Sequence, residues 1–421
     1  MPDVSKGAAE KPEQYVHSLA NGLTVVAERI PGVQSAAMSL LVRAGAANDP
    51  EGQGGSASVL SDWMLRGAGN RDSRELTGYL DGLGVQRSAG AETIFMRYGA
   101  SMLGKNLLAV LPVYADIVQR PMLPEEGFEP ALDLALQQLD AIEDEPSQKL
   151  SLKLRERHYP YPFGRPSVGR REDLEGLTAE KLRGTFARGF APKGAILSVA
   201  GMFNWTDLVK AVEHGFGAWD AAGTDLPPEK PGERGVFHIK QETNQVQIGL
   251  AWDSVADSDA DSILVQTAMN VLSGGMGARL FTEIREKQGL CYSVHAGYAS
   301  LKKIGAIFGY AGTSPDRAQK TLDSFFVELK RLEKGVTAEE LERAKIGMKS
   351  RVIMQGESSG ARAGALAYDF YHRGRTRTLE ELRELIDGVT LERVNGYLAG
   401  HPVKGVTVVT VGPEELKVPA P

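Results

Sequence analysis

Apolar positions along this chain switch repeatedly between a period of two and a period between three and four, and each switch marks an element. Leu19 to Ile30 predicts two short strands joined at Asn21-Gly22, a dipeptide that tolerates positive φ. Ala37 to Ala44 predicts another apolar strand. From Gly55 to Arg66 the spacing predicts a helix, with Val59, Leu60, Trp63 and Met64 on one face. Ser73 to Leu83 reads as a second amphipathic helix, with Ser73 as N-cap and Gly84 as its stop. Val85 to Ser101 reads as a β-hairpin, followed by helices at Lys105 to Val118 and Glu125 to Glu143, the latter ending before Pro146. A buried-type strand at Ala195 to Ala200 and a helix at Asn204 to Phe216 complete this half.

The composition then changes. Ala221 to Gly235, AAGTDLPPEKPGERG, is rich in Pro, Gly and charge and reads as an interdomain linker. Beyond it the order of elements restarts: a strand at Val246 to Ala251, helices at Asp259 to Leu272 and Ala278 to Lys287, and a strand pair over Tyr292 to Gly312. Helices at Pro315 to Leu332 and Ala338 to Gln355 follow. One helix of the first half ends as LDGLGVQRSAGA and one of the second as REKQGLCYSVHA; the matching glycines, Gly84 and Gly289, lie 205 residues apart (289 − 84). The order of elements thus implies one unit used twice. We expect an α+β fold of two homologous domains, over residues 15–220 and 236–421, each a mainly antiparallel sheet with helices on one face. Residues 221–235 would link them, and residues 1–14 would be a disordered or extended N-terminus.

Composition narrows the function little. The chain has 421 residues, too many for one ordinary core, with 42% apolar and 24% charged residues. A net charge of −6 with both signs mixed gives no reason to expect nucleic-acid or membrane binding. The single cysteine, Cys291, excludes an intrachain disulfide. No run of roughly 18 apolar residues occurs, and MPDVSKGAAEKPEQ has no apolar stretch of signal-peptide length. A cytoplasmic location is the expectation, with a periplasmic one open if a signal has been removed.

The segment from Gly274 to Tyr298, GGMGARLFTEIREKQGLCYSVHAGY, carries the most chemistry. A glycine-rich turn runs into a helix bearing Arg285; the helix stops at Gln288-Gly289, and a strand begins with Tyr292. Together with NGLTVV near the start, GRPSVGRREDLEGLTAEKLR from Gly164 and AILSVAG from Ala195, this segment resembles the pitrilysin and mitochondrial-processing-peptidase family of zinc peptidases, over about Tyr15 to Gly412. Active members carry an inverted zinc motif, H-x-x-E-H, whose histidines hold the metal and whose glutamate activates water. Here the corresponding segment is GGSASVLSDWMLRGAG: the histidine positions fall on Ser58 and Asp62, and the glutamate on Ser61. The family's third ligand comes from a later acidic helix, where this chain has Gln137-Gln138. Serine hydroxyls are poor zinc ligands, and a site needs about three protein ligands. None of the seven histidines lies within five residues of another, so none can form a helical or zinc-finger pair. We expect no metal in this chain.

By the resemblance, Tyr292 supplies a hydroxyl to the oxyanion formed when an amide is attacked, and Arg285 a hydrogen bond to the substrate backbone. On residue type alone, Arg285 is a solvated helix residue pairing with Glu286 or Asp253, and Tyr292 a core aromatic. The family frame around both reverses that preference. Gly274, Gly275 and Gly277 form a flexible turn that in processing-peptidase relatives touches substrate; no Lys-Ser/Thr pair follows to make a phosphate cradle. Cys291 and His295 fall on the strand face opposite Tyr292 if the strand is regular. HRGRTR, from His372 to Arg377, reads as a solvated loop, and Trp63, Trp205, Trp219 and Trp252 as core residues.

The resemblance therefore implies the non-zinc subunit of a heterodimeric zinc peptidase, inactive alone. A homologous partner would hold the zinc, and the substrates would be unstructured peptides added as a strand to a sheet edge. The alternative is an inert pseudopeptidase with a structural or peptide-binding role.

Overall fold

A computed structural model describes residues 12–419. The expectation for the N-terminus lies mostly outside the described residues; Glu13 and Gln14 open the first strand. In chain order the strands are β1 (Glu13–Ser18), β2 (Thr24–Arg29), β3 (Ser35–Val42), β4 (Gln86–Ala91), β5 (Met96–Leu103), β6 (Ile196–Gly201), β7 (Val236–Lys240), β8 (Val246–Ser254), β9 (Cys291–Ser300), β10 (Gly305–Thr313) and β11 (Thr407–Gly412). The helices needed below are α1 (Ser56–Trp63), α2 (Ser73–Gly82), α3 (Leu107–Gln119), α4 (Glu125–Glu143), α5 (Pro146–His158), α6 (Ser262–Ser273), α7 (Ala318–Glu333), α8 (Ala338–Gly356) and α9 (Ser359–Arg373).

The chain forms two compact units that are not collinear with the sequence. Among the described residues, one comprises 12–139, Arg165–Pro227 and Gln355–Arg377; the other comprises Asp140–Gly164, Pro228–Met354 and 378–419. In the first, six strands pair in the order β1-β2-β6-β3-β5-β4, all antiparallel except β2 with β6. Alternation along β3 and β5 sends Met38, Leu40, Tyr98 and Ala100 into a core shared with Val59, Leu60 and Trp63 of α1 and Leu111 of α3. Beyond this expected helical layer, α9 lies against β2, β3 and β6. Ser198 donates to the Ala363 carbonyl at 2.6 Å, and the buried Arg362 forks onto Glu28 at 2.7 and 2.5 Å.

The second unit has five strands in the order β9-β10-β8-β11-β7, antiparallel except β11 with β7. Ile248, Leu250, Ile307 and Val408 meet Leu272, Phe325 and Leu329 in its core. On the opposite face Leu150 and Leu154 of α5 pack with Ala251, Val409 and Val411. Each sheet thus receives one helix from the other half of the sequence, an exchange with no signature in the local pattern. β9 pairs only with β10, which leaves it at an edge.

Several boundaries differ for physical reasons. β1 starts upstream of Leu19, and Leu19 to Leu23 is the turn itself, with Gly22 at φ 94°. The N-cap of α2 is Asp72, not Ser73: its carboxylate accepts from Glu75 N while the Glu75 side chain accepts from Asp72 N, a reciprocal box. The helix over Glu125–Glu143 ends before Pro146 as its pattern predicts, and Pro146 then opens α5 at the first turn, where its missing N–H costs nothing. Gly84 and Gly289 take the left-handed conformation at φ 66° and 63°, each closing its helix. The basic run after α9 is tied down: Arg377 binds Asp369, and its carbonyl accepts from Arg362. Trp63, Trp219 and Trp252 are buried, whereas Trp205 is half-buried and stacks on Tyr15.

Candidate functional site

The degenerate zinc positions lie on α1. This helix lacks a side-chain cap at its own N-cap, Gly55, whose φ is 96°. Its first amides are bound from six and eight residues upstream, where buried Asp49 accepts from Gly55 N at 2.8 Å and Ala57 N at 2.9 Å. Burial pushes the Asp49 carboxyl up to about 7 against the pull of those amides and of Arg165. Ser58, Ser61 and Asp62 are half-buried. Ser61 donates to the Ser58 carbonyl at 2.7 Å, and Asp62 accepts from Arg66 at 2.6 Å, one helical turn on. Ser61 is thus committed to its own helix, and Asp62 to Arg66 just past its end. Gln137 and Gln138 are exposed on α4 and bring no carboxylate.

The donor set does not fit zinc. Two hydroxyls and one carboxylate already bound to an arginine replace the two imidazoles and the general base. Among the described residues no group of three or more His, Cys, Asp or Glu is gathered closely enough to hold a metal ion.

Arg285 and Tyr292 sit in the second unit, where two backbone irregularities shape their surroundings. The helix after the glycine-rich turn widens to a π-helical turn over Phe281–Glu286, with Lys287 N bonded to the Thr282 carbonyl at 3.0 Å. Such turns are rare and recur at functional sites. Arg285 is exposed on this turn, with its guanidinium 4.8 Å from the Phe281 ring centre, and it makes no ion pair among the described residues. Asp253, a candidate partner in sequence, instead takes the fork of Arg234. The chain then turns at Gly289 into β9, whose first pairings slip by one: Cys291 faces Thr313 and Ser293 faces Gly312. Tyr292 is the extra residue of this bulge, and its ring is 62% exposed.

The bulge also moves the residues after it. Cys291 and Val294 both face the core, three positions apart, so His295 falls on the outward side. The regular-strand expectation is therefore corrected for His295, whose ring lies 5.0 Å from that of Tyr310; the Cys291 thiol is buried. Burial pushes that thiol up, opposed by the charge of Arg285.

Gly274, Gly275 and Gly277 line a cavity of about 310 Å³ together with Asn270, Arg343 and Glu340. Beneath the turn, Arg279 is 6% exposed and forks onto Glu340 with both contacts at 2.7 Å. Burial alone would raise Glu340, but Arg279 and the Thr337 amide outweigh it and hold the carboxyl down at about 2. Sequence reasoning missed Asp49, Phe281 and the Arg279–Glu340 pair. Each acts across a fold contact or a backbone irregularity that has no local pattern.

Comparison with known proteins gives the family and the fold. Two family models match: "Insulinase (Peptidase family M16)" over residues 24–169 and "Peptidase M16 inactive domain" over residues 176–348. The chain is 27% identical over 387 residues to a Bacillus subtilis protein named uncharacterized zinc protease YmxG, covering 90% of this chain and 93% of that one. An uncharacterized zinc protease of Mycobacterium leprae, ML0855, is 26% identical over 412 residues, covering 96% and 93%. Among solved structures, a peptidase M16 inactive domain from Pseudomonas fluorescens superposes with a TM-score of 0.87 at 21% identity, over 96% of this chain and all of that one. A chain of Complex III2 from Candida albicans superposes at 0.80 with 17% identity, over 94% and 95%, a likeness of fold alone. No helix among the described residues is long and apolar enough to cross a membrane. The chain belongs to the M16, or pitrilysin, family of peptidases.

Proposed function

We propose that this chain is the non-zinc, transition-state-stabilising subunit of a heterodimeric zinc peptidase that cleaves unstructured peptides. One observation carries the reading. Tyr292 and Arg285 are held out to solvent on a bulge and a π-turn, and among the described residues neither is used by the core or by an ion pair. The exposure of Tyr292 speaks against a core role and leaves its hydroxyl free to meet a ligand.

A homologous partner with an intact H-x-x-E-H supplies the metal-activated water. This chain supplies hydrogen bonds. As the amide carbonyl gains negative charge, the Tyr292 hydroxyl donates to that oxygen, an interaction stronger in the transition state than in the ground state. Arg285 donates to a backbone carbonyl of the peptide and fixes its register, and Gly274, Gly275 and Gly277 let the peptide backbone approach closely. The two halves, 15–220 and 236–421, are duplicated peptidase-like modules, the first having lost its metal ligands. On the same reading the chain works in the cytoplasm, or in the periplasm if a signal is removed.

Reconstitution tests the reading. The isolated chain should hydrolyse no unstructured peptide, and a copurifying homologue with H-x-x-E-H should gain turnover when it is added. A partner equally active without this chain would overturn the proposal and leave an inert scaffold.

A further inference from the structure

The cavity beside the glycine-rich turn has a chemistry that the oxyanion role does not use. Its walls are Val271, Ala278, Ala344 and Ile346, with Gly347 of α8 opening onto it. Its volume of about 310 Å³ is at the lower end of ligand pockets, which suits one side chain and adjoining backbone better than a folded element. Charge at its mouth is already compensated. Glu340 is held by Arg279, and Arg343 donates to the Gly277 carbonyl at 2.8 Å and to Glu339 at 2.9 Å. An ionised side chain entering here would lose water and gain no free counter-charge. An aliphatic one would lose nothing.

The surface around the opening is apolar as well. Met276, at the tip of the turn, is 75% exposed. Along α8, Ile346, Ile353 and Met354 are 62%, 52% and 68% exposed and share one face at helical spacing, opposite the buried Leu341, Ala344 and Met348. Flexible methionines at the end of such a strip suit varied apolar sequences. We infer that this cavity is a specificity pocket, which takes one aliphatic side chain of an extended peptide whose flanking residues lie along the Ile346–Met354 face of α8. The inference rests on the peptide-binding reading above and names the substrate class: peptides with a bulky aliphatic residue rather than a charged one.

Gly347 provides the test, because a Cβ there meets nothing within 4 Å and its substitution in a helix is unstrained. Gly347→Leu should fill the cavity without unfolding the chain, and Gly347→Ala should leave most of it open. The probe is a fluorescein-labelled, unstructured Gly/Ser/Gln peptide with one central Leu, Ala or Asp, titrated against the whole chain and read by polarisation. Burying the extra methylenes of Leu predicts on the order of 10–50-fold tighter binding than Ala, with Asp weaker than both. Gly347→Leu should reduce the Leu/Ala ratio to near unity with an unchanged melting temperature, and Gly347→Ala should retain most of it. Equal binding of Leu and Ala peptides to the wild type, a ratio that survives Gly347→Leu, or no binding of the Leu peptide would each overturn the pocket. These measurements need neither metal nor partner, so their failure is distinct from a failure of the oxyanion role, which is read only in turnover of the assembled pair.

Discussion

Replacing Glu340 with alanine removes the carboxylate that hydrogen-bonds buried Arg279, directly beneath the glycine-rich turn, and leaves buried Glu328 as a carboxylate that still feels the Arg279 charge. Glu340 has two structural duties. It accepts both Arg279 contacts, and its carboxylate accepts from Thr337 N at 2.8 Å while Thr337 Oγ1 accepts from Glu340 N at 3.2 Å, capping α8. Arg279 Nη1 already lacks a partner, so only the Gly335 carbonyl would remain to Arg279. Breaking a buried pair from one side typically costs about 3–5 kcal/mol, and a lost cap about 1 kcal/mol. Glu340 retains some solvent access, so we expect about 3 kcal/mol at pH 7.

Acid should erase part of this difference. The folded Glu340 carboxyl is held at about 2 against an ordinary 4.5, so its contribution is complete above pH 4.5 and is lost as the pH falls toward 2. A shift of that size corresponds to roughly 3.4 kcal/mol before solvent screening, of which about 2 kcal/mol should be gone at pH 3. Native-state hydrogen exchange of the α8 amides reads the stability of this unit without assuming that the whole chain unfolds in one step. Wild type and Glu340→Ala should differ clearly at pH 7, and the gap should narrow by about half or more at pH 3. A difference below about 1 kcal/mol at pH 7, or one that does not change with pH, would refute the assignment of Glu340 as the counter-charge.

Two further predictions concern the first unit. Arg362→Ala or Glu28→Ala should destabilise it by about 3–5 kcal/mol, whereas Arg362→Met with Glu28→Leu should cost much less; urea unfolding of the three variants checks this, and equal losses would contradict it. Ser58→His, Ser61→Glu and Asp62→His together should not create an efficient peptidase. Exposed Gln137 and Gln138 still offer no carboxylate, and second-shell losses alone cost about 10–100-fold. The purified wild-type chain should contain no stoichiometric zinc, and elemental analysis showing about one tightly bound zinc per chain would sink the donor-set argument.

The sequence was most legible where burial follows a simple period. Val59, Leu60, Trp63 and Met64 are all buried, and the span of α4 is the one its pattern predicts. The helix stops at Gly84 and Gly289 were legible because a residue tolerant of positive φ closes each helix. What escaped was set by long-range contact. Nothing in PSQKLSLKLRERH says that Leu150 and Leu154 face a strand about a hundred residues away, and nothing in the run around Ala363 says that it covers β6. The candidate site shows the same division. Arg285 and Tyr292 stand out only through the family resemblance, since residue type alone makes them a solvated helix residue and a core aromatic; the π-turn and the bulge that expose them are departures from regular geometry, which periodicity cannot register.

The central claim is that this chain stabilises a transition state on behalf of a partner, and Tyr292→Phe tests it most directly. The substitution removes one hydroxyl from a ring that is 62% exposed, so folding and partner binding should be unchanged. In the reconstituted pair, kcat for an unstructured peptide should fall by about 10²-fold or more with KM little altered, whereas Arg285→Ala should raise KM as well. Full turnover by the Tyr292→Phe pair would contradict the account and leave this chain a scaffold.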